Sequence, residues 1–117
     1  MDKRHPQLIR LRPNSVWLIS IPKAKITKSE LEHLHDFVAQ VNADILVRYG
    51  ETEPILSEAN LSYCLWAALR KAKKNKDDFH QIWAAETLYQ IAVKHPFGEG
   101  NKRTSYVVAK LILPNKH

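Results

Sequence analysis

The spacing of apolar positions changes once along this chain. Before residue 27 the apolar residues fall in short runs, Leu8-Ile9-Arg10-Leu11-Arg12 and Val16-Trp17-Leu18-Ile19-Ser20-Ile21, on either side of Pro13-Asn14-Ser15. That is the pattern of a small β-hairpin or an extended arm. After Pro22 the spacing becomes helical. Thr27-Lys28-Ser29-Glu30 matches a capping box, with Thr27 as N-cap and Glu30 at the third helical position. Leu31, Leu34, Phe37, Val38, Val41, Ile45 and Leu46 then recur at three- and four-residue intervals, and Gly50 marks the end of this first helix.

The stretch Gly50-Glu51-Thr52-Glu53-Pro54-Ile55-Leu56-Ser57 reads as a connection, either a plain connector or a small hairpin or short flap. A second helix is predicted from about Glu58 to Lys74, with Leu61, Leu65, Ala68, Leu69 and Ala72 on one face. Asn75-Lys76-Asp77-Asp78 breaks it, with Asp77 or Asp78 available to cap a third helix. The third helix, Phe79 to Val93, is expected to bury Phe79, Ile82, Trp83, Leu88, Ile91 and Ala92, while Ala84, Ala85 and Ala92 allow close helix approach. A fourth runs from about Asn101 to Leu113 and is stopped by Pro114. The expected fold is therefore mainly all-α, a compact helical bundle (27–117) preceded by an N-terminal extension (1–26).

Composition bounds this picture without changing it. A chain of 117 residues with 44% apolar and 26% charged residues suits one globular domain. No apolar run reaches the roughly 18 to 20 residues of a membrane span, and the N-terminus is polar rather than signal-like. The expectation is a cytoplasmic protein with no membrane partner. Cys64 is the single cysteine, which excludes an intrachain disulfide and a cysteine-built zinc site, and its setting Tyr63-Cys64-Leu65-Trp66 is that of a buried, inert thiol. The formal charge of +6 is compatible with nucleotides, nucleic acid or an acidic protein. Its densest part, Arg70-Lys71-Ala72-Lys73-Lys74-Asn75-Lys76, reads as a solvated helix C-terminus, where cations complement the helix dipole. It lacks the interleaved aromatics of single-strand binders, so nucleic acid is not the expected partner.

Chemistry concentrates in one run, His95-Pro96-Phe97-Gly98-Glu99-Gly100-Asn101-Lys102-Arg103-Thr104. Pro96 disfavours helical geometry at His95 and ends the third helix there. The fourth helix then begins near Asn101, leaving the backbone N–H groups of Gly100, Asn101 and Lys102 without intrahelical partners, which is the makeup of an anion site. Lys102 and Arg103 fall in the first turn, where the dipole makes cations unfavourable by about 0.3 to 1 kcal/mol each. A bound polyphosphate reverses that sign, whereas a sequence shaped only for folding would avoid the two charges. Other constellations carry less. His33 and His35 point about 200° apart on a helix and share a metal poorly. The glycine spacing is not that of a P-loop, no HExxH motif is present, and Ser57, Ser62 and Ser105 give no sign of a Ser-His-Asp arrangement.

The same run resembles the signature of the Fic/Doc family, H-P-F-x-[DE]-[GA]-N-[GK]-R, and matches it at every fixed position. Leu34-His35-Asp36 and Arg48-Tyr49-Gly50 look like the first-helix pattern of the death-on-curing (Doc) branch, and His80 to Val93 looks like the alanine-rich helix before the motif; the resemblance covers about residues 26 to 113. It implies a Fic/Doc-like helical bundle using ATP and Mg²⁺. In that frame His95 is the general base on the target hydroxyl, Phe97 a buried anchor and Glu99 the Mg²⁺ ligand. Gly98, Gly100, Asn101, Lys102 and Arg103 would bind the nucleotide phosphates. Position 102 divides the family, glycine accompanying nucleotidyl transfer (AMPylation) and lysine the Doc branch. Lys102 therefore implies a Doc-like toxin kinase acting on a Ser/Thr hydroxyl of a protein, a translation factor in the best-known relative. AMPylation and a catalytically silent binding module remain the alternatives. No [ST]-x-x-x-E-[GN] inhibitory motif is present, so a separate antitoxin-like inhibitor is expected. The resemblance also implies further helices after the motif helix. With four residues beyond Leu113, three alternatives are open: the N-terminal arm supplies that packing, another subunit does, as in a homo-oligomer, or the chain is a trimmed and impaired relative.

Overall fold

The computed structural model describes residues 26–50 and 57–113, apart from the side chain at 76, and the backbone of 5–12 and 15–21. Two antiparallel strands, β1 (His5–Arg12) and β2 (Ser15–Ile21), are followed by four helices: α1 (Lys28–Arg48), α2 (Glu58–Lys73), α3 (Phe79–Lys94) and α4 (Asn101–Ile112). The strands pair from His5 with Ile21 to Arg12 with Ser15, with an irregularity in register between Arg10 and Arg12. Of the two forms the N-terminal pattern allowed, the hairpin is the one found. Its β1 backbone lies beside α4 and its β2 backbone beside α1. The flap expected between Gly50 and Ser57 falls on residues 51–56, and the Pro114 helix stop on 114–117, both outside the described residues.

The helices start and stop where local chemistry directs. At α1 both halves of the capping box form: the Glu30 N–H donates to Thr27 Oγ1 and the Thr27 N–H to Glu30 Oε1, each at 3.0 Å. Ser57 caps α2 by accepting from the Asn60 N–H at 3.1 Å. The third helix begins without the expected aspartate cap. A 3₁₀ turn over Lys76–Asp78 leads into it, and neither Asp77 nor Asp78 makes a capping hydrogen bond, because Asp78 adopts φ −116°, ψ 31° rather than the extended geometry a cap needs.

α3 packs along both α2 and α4, and α1 closes the bundle against α4 and α2. Leu34, Phe37, Val38 and Val41 of α1 meet Leu61, Leu65, Ala68, Leu69 and Ala72 of α2, Trp83 and Ile91 of α3, and Val108 and Ile112 of α4 in one core. The buried arc of α3 runs Phe79, Trp83, Ala84, Thr87 and Ile91, so Leu88 is exposed where burial was expected, and Ala85, expected to allow close helix approach, is exposed as well. A hydroxyl-bearing threonine takes the place that apolarity alone assigns to leucine, because positions four apart (79, 83, 87, 91) keep to one face and 88 steps off it. The Cys64 thiol is buried, donates to the Gln90 carbonyl at 3.4 Å, and is pushed up to about 11 by desolvation, partly offset by nearby Lys94, which agrees with an inert role. Among the described residues no helix is long and apolar enough to cross a membrane.

The basic end of α2 is not wholly solvated. Lys73 is 2% exposed and its Nζ lies 2.9 Å from Oε1 of Glu30, itself nearly buried, so the ammonium ties the end of α2 to the capped start of α1. The helical step that puts Leu69 and Ala72 inside also carries Lys73 inward, and only a carboxylate waiting there makes that tolerable. Lys73→Ala removes a buried ammonium partner of Glu30 and is expected to destabilise the fold by about 3 kcal/mol or more in chemical denaturation. Exposed Lys74→Ala is expected to stay within about 0.5 kcal/mol. Equal effects from the two would contradict this account of the basic cluster.

Candidate functional site

The α3–α4 loop is held by its backbone at both ends. His95 caps α3 in the left-handed region (φ 50°, ψ 58°), the one non-glycine residue with positive φ among the described residues, and its N–H reaches the Ile91 carbonyl at 3.1 Å. Pro96 does bar His95 from helical geometry, but the residue turns left-handed rather than extended, which lets it satisfy an orphan carbonyl of α3. Such a conformation costs roughly 1 to 3 kcal/mol for a non-glycine residue and persists only where its surroundings impose it. The imidazole is left exposed at the loop's edge.

Past His95 the chain dips into the core. Pro96 is buried and Phe97 is 1% exposed, as expected of an anchor. The Pro96 carbonyl accepts the Ser57 N–H at 3.0 Å, fastening the loop to the start of α2. Asn101 then closes the turn with two hydrogen bonds: its Oδ1 accepts the Phe97 N–H at 3.0 Å and its Nδ2 donates to the Phe97 carbonyl at 2.9 Å. The Asn101 side chain is therefore engaged in shaping the loop, and its backbone N–H is the group it can offer a ligand.

Gly100 is the N-cap of α4, with φ 76°. A Cβ there would sit 3.3 Å from both Asn42 Nδ2 and Leu46 Cδ2, so glycine answers two demands, the positive φ and the close approach of α1. Gly98 has no positive φ and is exposed, so the first of the two glycines does not use glycine's conformational freedom. Among the described residues no side chain caps the first turn of α4, and the opening N–H groups of a helix have no intrahelical partners.

The charged residues separate. Lys102 is exposed, on the first turn of α4. Arg103 lies with its guanidinium 3.9 Å from the ring centroid of Tyr49 and lines, with Arg48 and Tyr106, a groove of about 430 Å³ between α1 and α4. Stacking on an aromatic face stabilises a cation that the helix dipole disfavours. Glu99 is half-buried, with its Oε2 shielded from solvent and its carbonyl turned toward α1.

Sequence reasoning missed Asn42. This residue of α1 is 3% exposed, and its amide nitrogen donates to the Glu99 carbonyl and to Thr104 Oγ1, each at 3.0 Å. Its signal was present: position 42 follows Val38 by four residues, which makes it a polar residue on the apolar face of α1.

The sequence model of the Fic/DOC family matches residues 20–113, most of the chain and the whole of this loop. The chain belongs to the Fic/DOC family. No curated protein and no solved structure gave a significant match. Members of the Fic/DOC family are typically transferases that modify proteins, and they generally use ATP with a metal ion. The residues present fit that pair. An uncapped helix start with two adjacent cations suits a polyphosphate, and the Glu99 carboxylate suits a hard cation. Among the described residues no group of three or more His, Cys, Asp or Glu side chains gathers to cage a metal.

The loop geometry yields a stability test. Gly100→Ala forces a Cβ against Asn42 and Leu46 at positive φ and is expected to cost about 1 to 3 kcal/mol in urea unfolding. Gly98→Ala is expected to stay within about 0.5 kcal/mol. The opposite ranking would contradict the loop conformation.

Proposed function

We propose that this Fic/DOC chain is a Doc-like toxin that transfers the terminal phosphate of ATP to a serine or threonine hydroxyl of a protein target, and that a separate antitoxin-like protein holds it in check. The observation that carries the reading is Lys102, an exposed cation beside Gly100 and Asn101 on the uncapped first turn of α4. In the resemblance set out above, lysine at this position accompanies phosphate transfer and glycine accompanies nucleotidyl transfer.

Each residue has one task in this scheme. The exposed His95 imidazole accepts the target hydroxyl's proton. The freed oxygen lone pair bonds to the terminal phosphorus, the bond from that phosphorus to the bridging oxygen breaks, ADP departs with the electron pair, and the proton stays on His95. The N–H groups of Gly100, Asn101 and Lys102 hold phosphate oxygens, and the Lys102 ammonium and Arg103 guanidinium balance their charge. Glu99 would hold Mg²⁺, which supplies charge neutralisation on the phosphates when bound. Transfer of this kind needs mainly positioning and charge stabilisation, and a loop pinned by Asn101 and Pro96 supports both. A chain of net charge +6 also suits an acidic inhibitor.

Host-cell extract incubated with the purified chain and ATP labelled at either the γ or the α phosphate tests this. The expected result is protein labelling from γ-labelled ATP only, falling by about 100-fold or more with His95→Ala. Labelling from α-labelled ATP would replace the kinase reading with nucleotidyl transfer. No labelling from either would make the chain a binding module.

A further inference from the structure

The Glu99 carbonyl accepts a hydrogen bond from Asn42 Nδ2 at 3.0 Å and so points inward, toward α1. A carbonyl oxygen can only accept, which fixes the nitrogen of the Asn42 amide on that side. In a planar trans peptide the C=O of one residue and the N–H of the next point in opposite directions. With the Glu99 carbonyl drawn toward α1, the Gly100 N–H is turned away from it, out of the core. The second amide proton of Asn42 goes to Thr104 Oγ1 at 3.0 Å, so the same side chain also grips the first turn of α4. The grip is tight, because the place where a Gly100 side chain would begin lies 3.3 Å from Asn42 Nδ2.

We infer that Asn42 is a positioning residue for the transfer site: it sets the orientation of the Glu99–Gly100 peptide and thereby aims the Gly100 N–H at the phosphates. The inference rests on the phosphate-binding reading of the loop proposed above. Asn42 sits on α1, 57 residues from Glu99 in sequence, and is 3% exposed, so it touches no substrate and acts only through this peptide. A buried asparagine confined to structural duty would serve as well with any arrangement that satisfied its amide. Here both donors go to the loop and helix start that present the anion site, and glycine at 100 is required for α1 to come close enough. Without the Asn42 donor the Glu99–Gly100 peptide is free to rotate, turning a carbonyl oxygen toward the phosphates in place of an N–H.

Nuclear magnetic resonance reads this directly, since the chain has only three glycines and their amides are readily followed. In the wild type, tripolyphosphate with Mg²⁺ is expected to move the Gly100 resonance and leave Gly50 in place. Asn42→Leu, close in volume but without a donor, is expected to shift Gly100 in the ligand-free protein and to weaken tripolyphosphate binding about tenfold or more. Asn42→Asp donates only when its carboxyl is protonated, so the Gly100 resonance of that variant is expected to return toward the wild-type position as pH falls. This pH dependence separates positioning from packing and remains readable if Asn42→Leu fails to fold. An unmoved Gly100 in the ligand-free variants, or binding by folded Asn42→Leu within about twofold of wild type, would overturn the inference. If the wild type itself does not bind tripolyphosphate, the phosphate reading falls, and the ligand-free Gly100 shift still decides whether Asn42 orients the peptide.

Discussion

Two asparagine amides hold the α3–α4 turn in shape. Asn101 closes it from within, exchanging two hydrogen bonds with the Phe97 backbone, and Asn42 grips it from α1 through the Glu99 carbonyl and Thr104. Every other feature of the region depends on the turn staying so. The left-handed His95 and Gly100 mark its two ends. Each of the four bonds contributes on the order of 1 kcal/mol. Together they are of the size needed to keep His95 in a conformation that a histidine does not choose for itself.

Burial of Phe97 anchors the turn to the core, and the Ser57 bond to Pro96 fastens it to α2, so all four helices bear on it. The Lys73–Glu30 pair ties α1 to α2 at the point where α1 is capped, and so fixes the helix that presents Asn42. Charge is then placed on this frame against the dipole of α4. Lys102 is left to water, and Arg103 is accommodated on the face of Tyr49, so the fold tolerates both cations before any ligand arrives.

Much of this was legible in the residues. Helix spacing and the capping box at Thr27 placed α1 to within a residue, and Pro96 with Gly100 bounded the loop. Phe97 was legible as an anchor through the family resemblance, not through any local pattern. Periodicity failed where a core position is polar. Thr87 displaced Leu88, Lys73 went inside, and Asn42 passed unnoticed on an apolar face; for Lys73 and Asn42 the partner that makes burial tolerable comes from elsewhere in the fold. The Glu99 carbonyl lies 57 positions beyond Asn42, and Glu30 lies 43 before Lys73, separations that no local pattern reveals. The aspartate cap of α3 failed for a local reason, since the 3₁₀ turn before it leaves Asp78 in the wrong backbone region.

The central claim is that the start of α4 is a phosphate site built around Gly100, and a crystal structure with a non-hydrolysable ATP analogue and Mg²⁺ tests it most directly. The phosphates should lie on the N–H groups of Gly100, Asn101 and Lys102, with the metal on the Glu99 carboxylate and the His95 imidazole facing the terminal phosphorus. An analogue seated instead in the α1–α4 groove beside Arg48 and Tyr106, with the loop N–H groups facing only water, would contradict it.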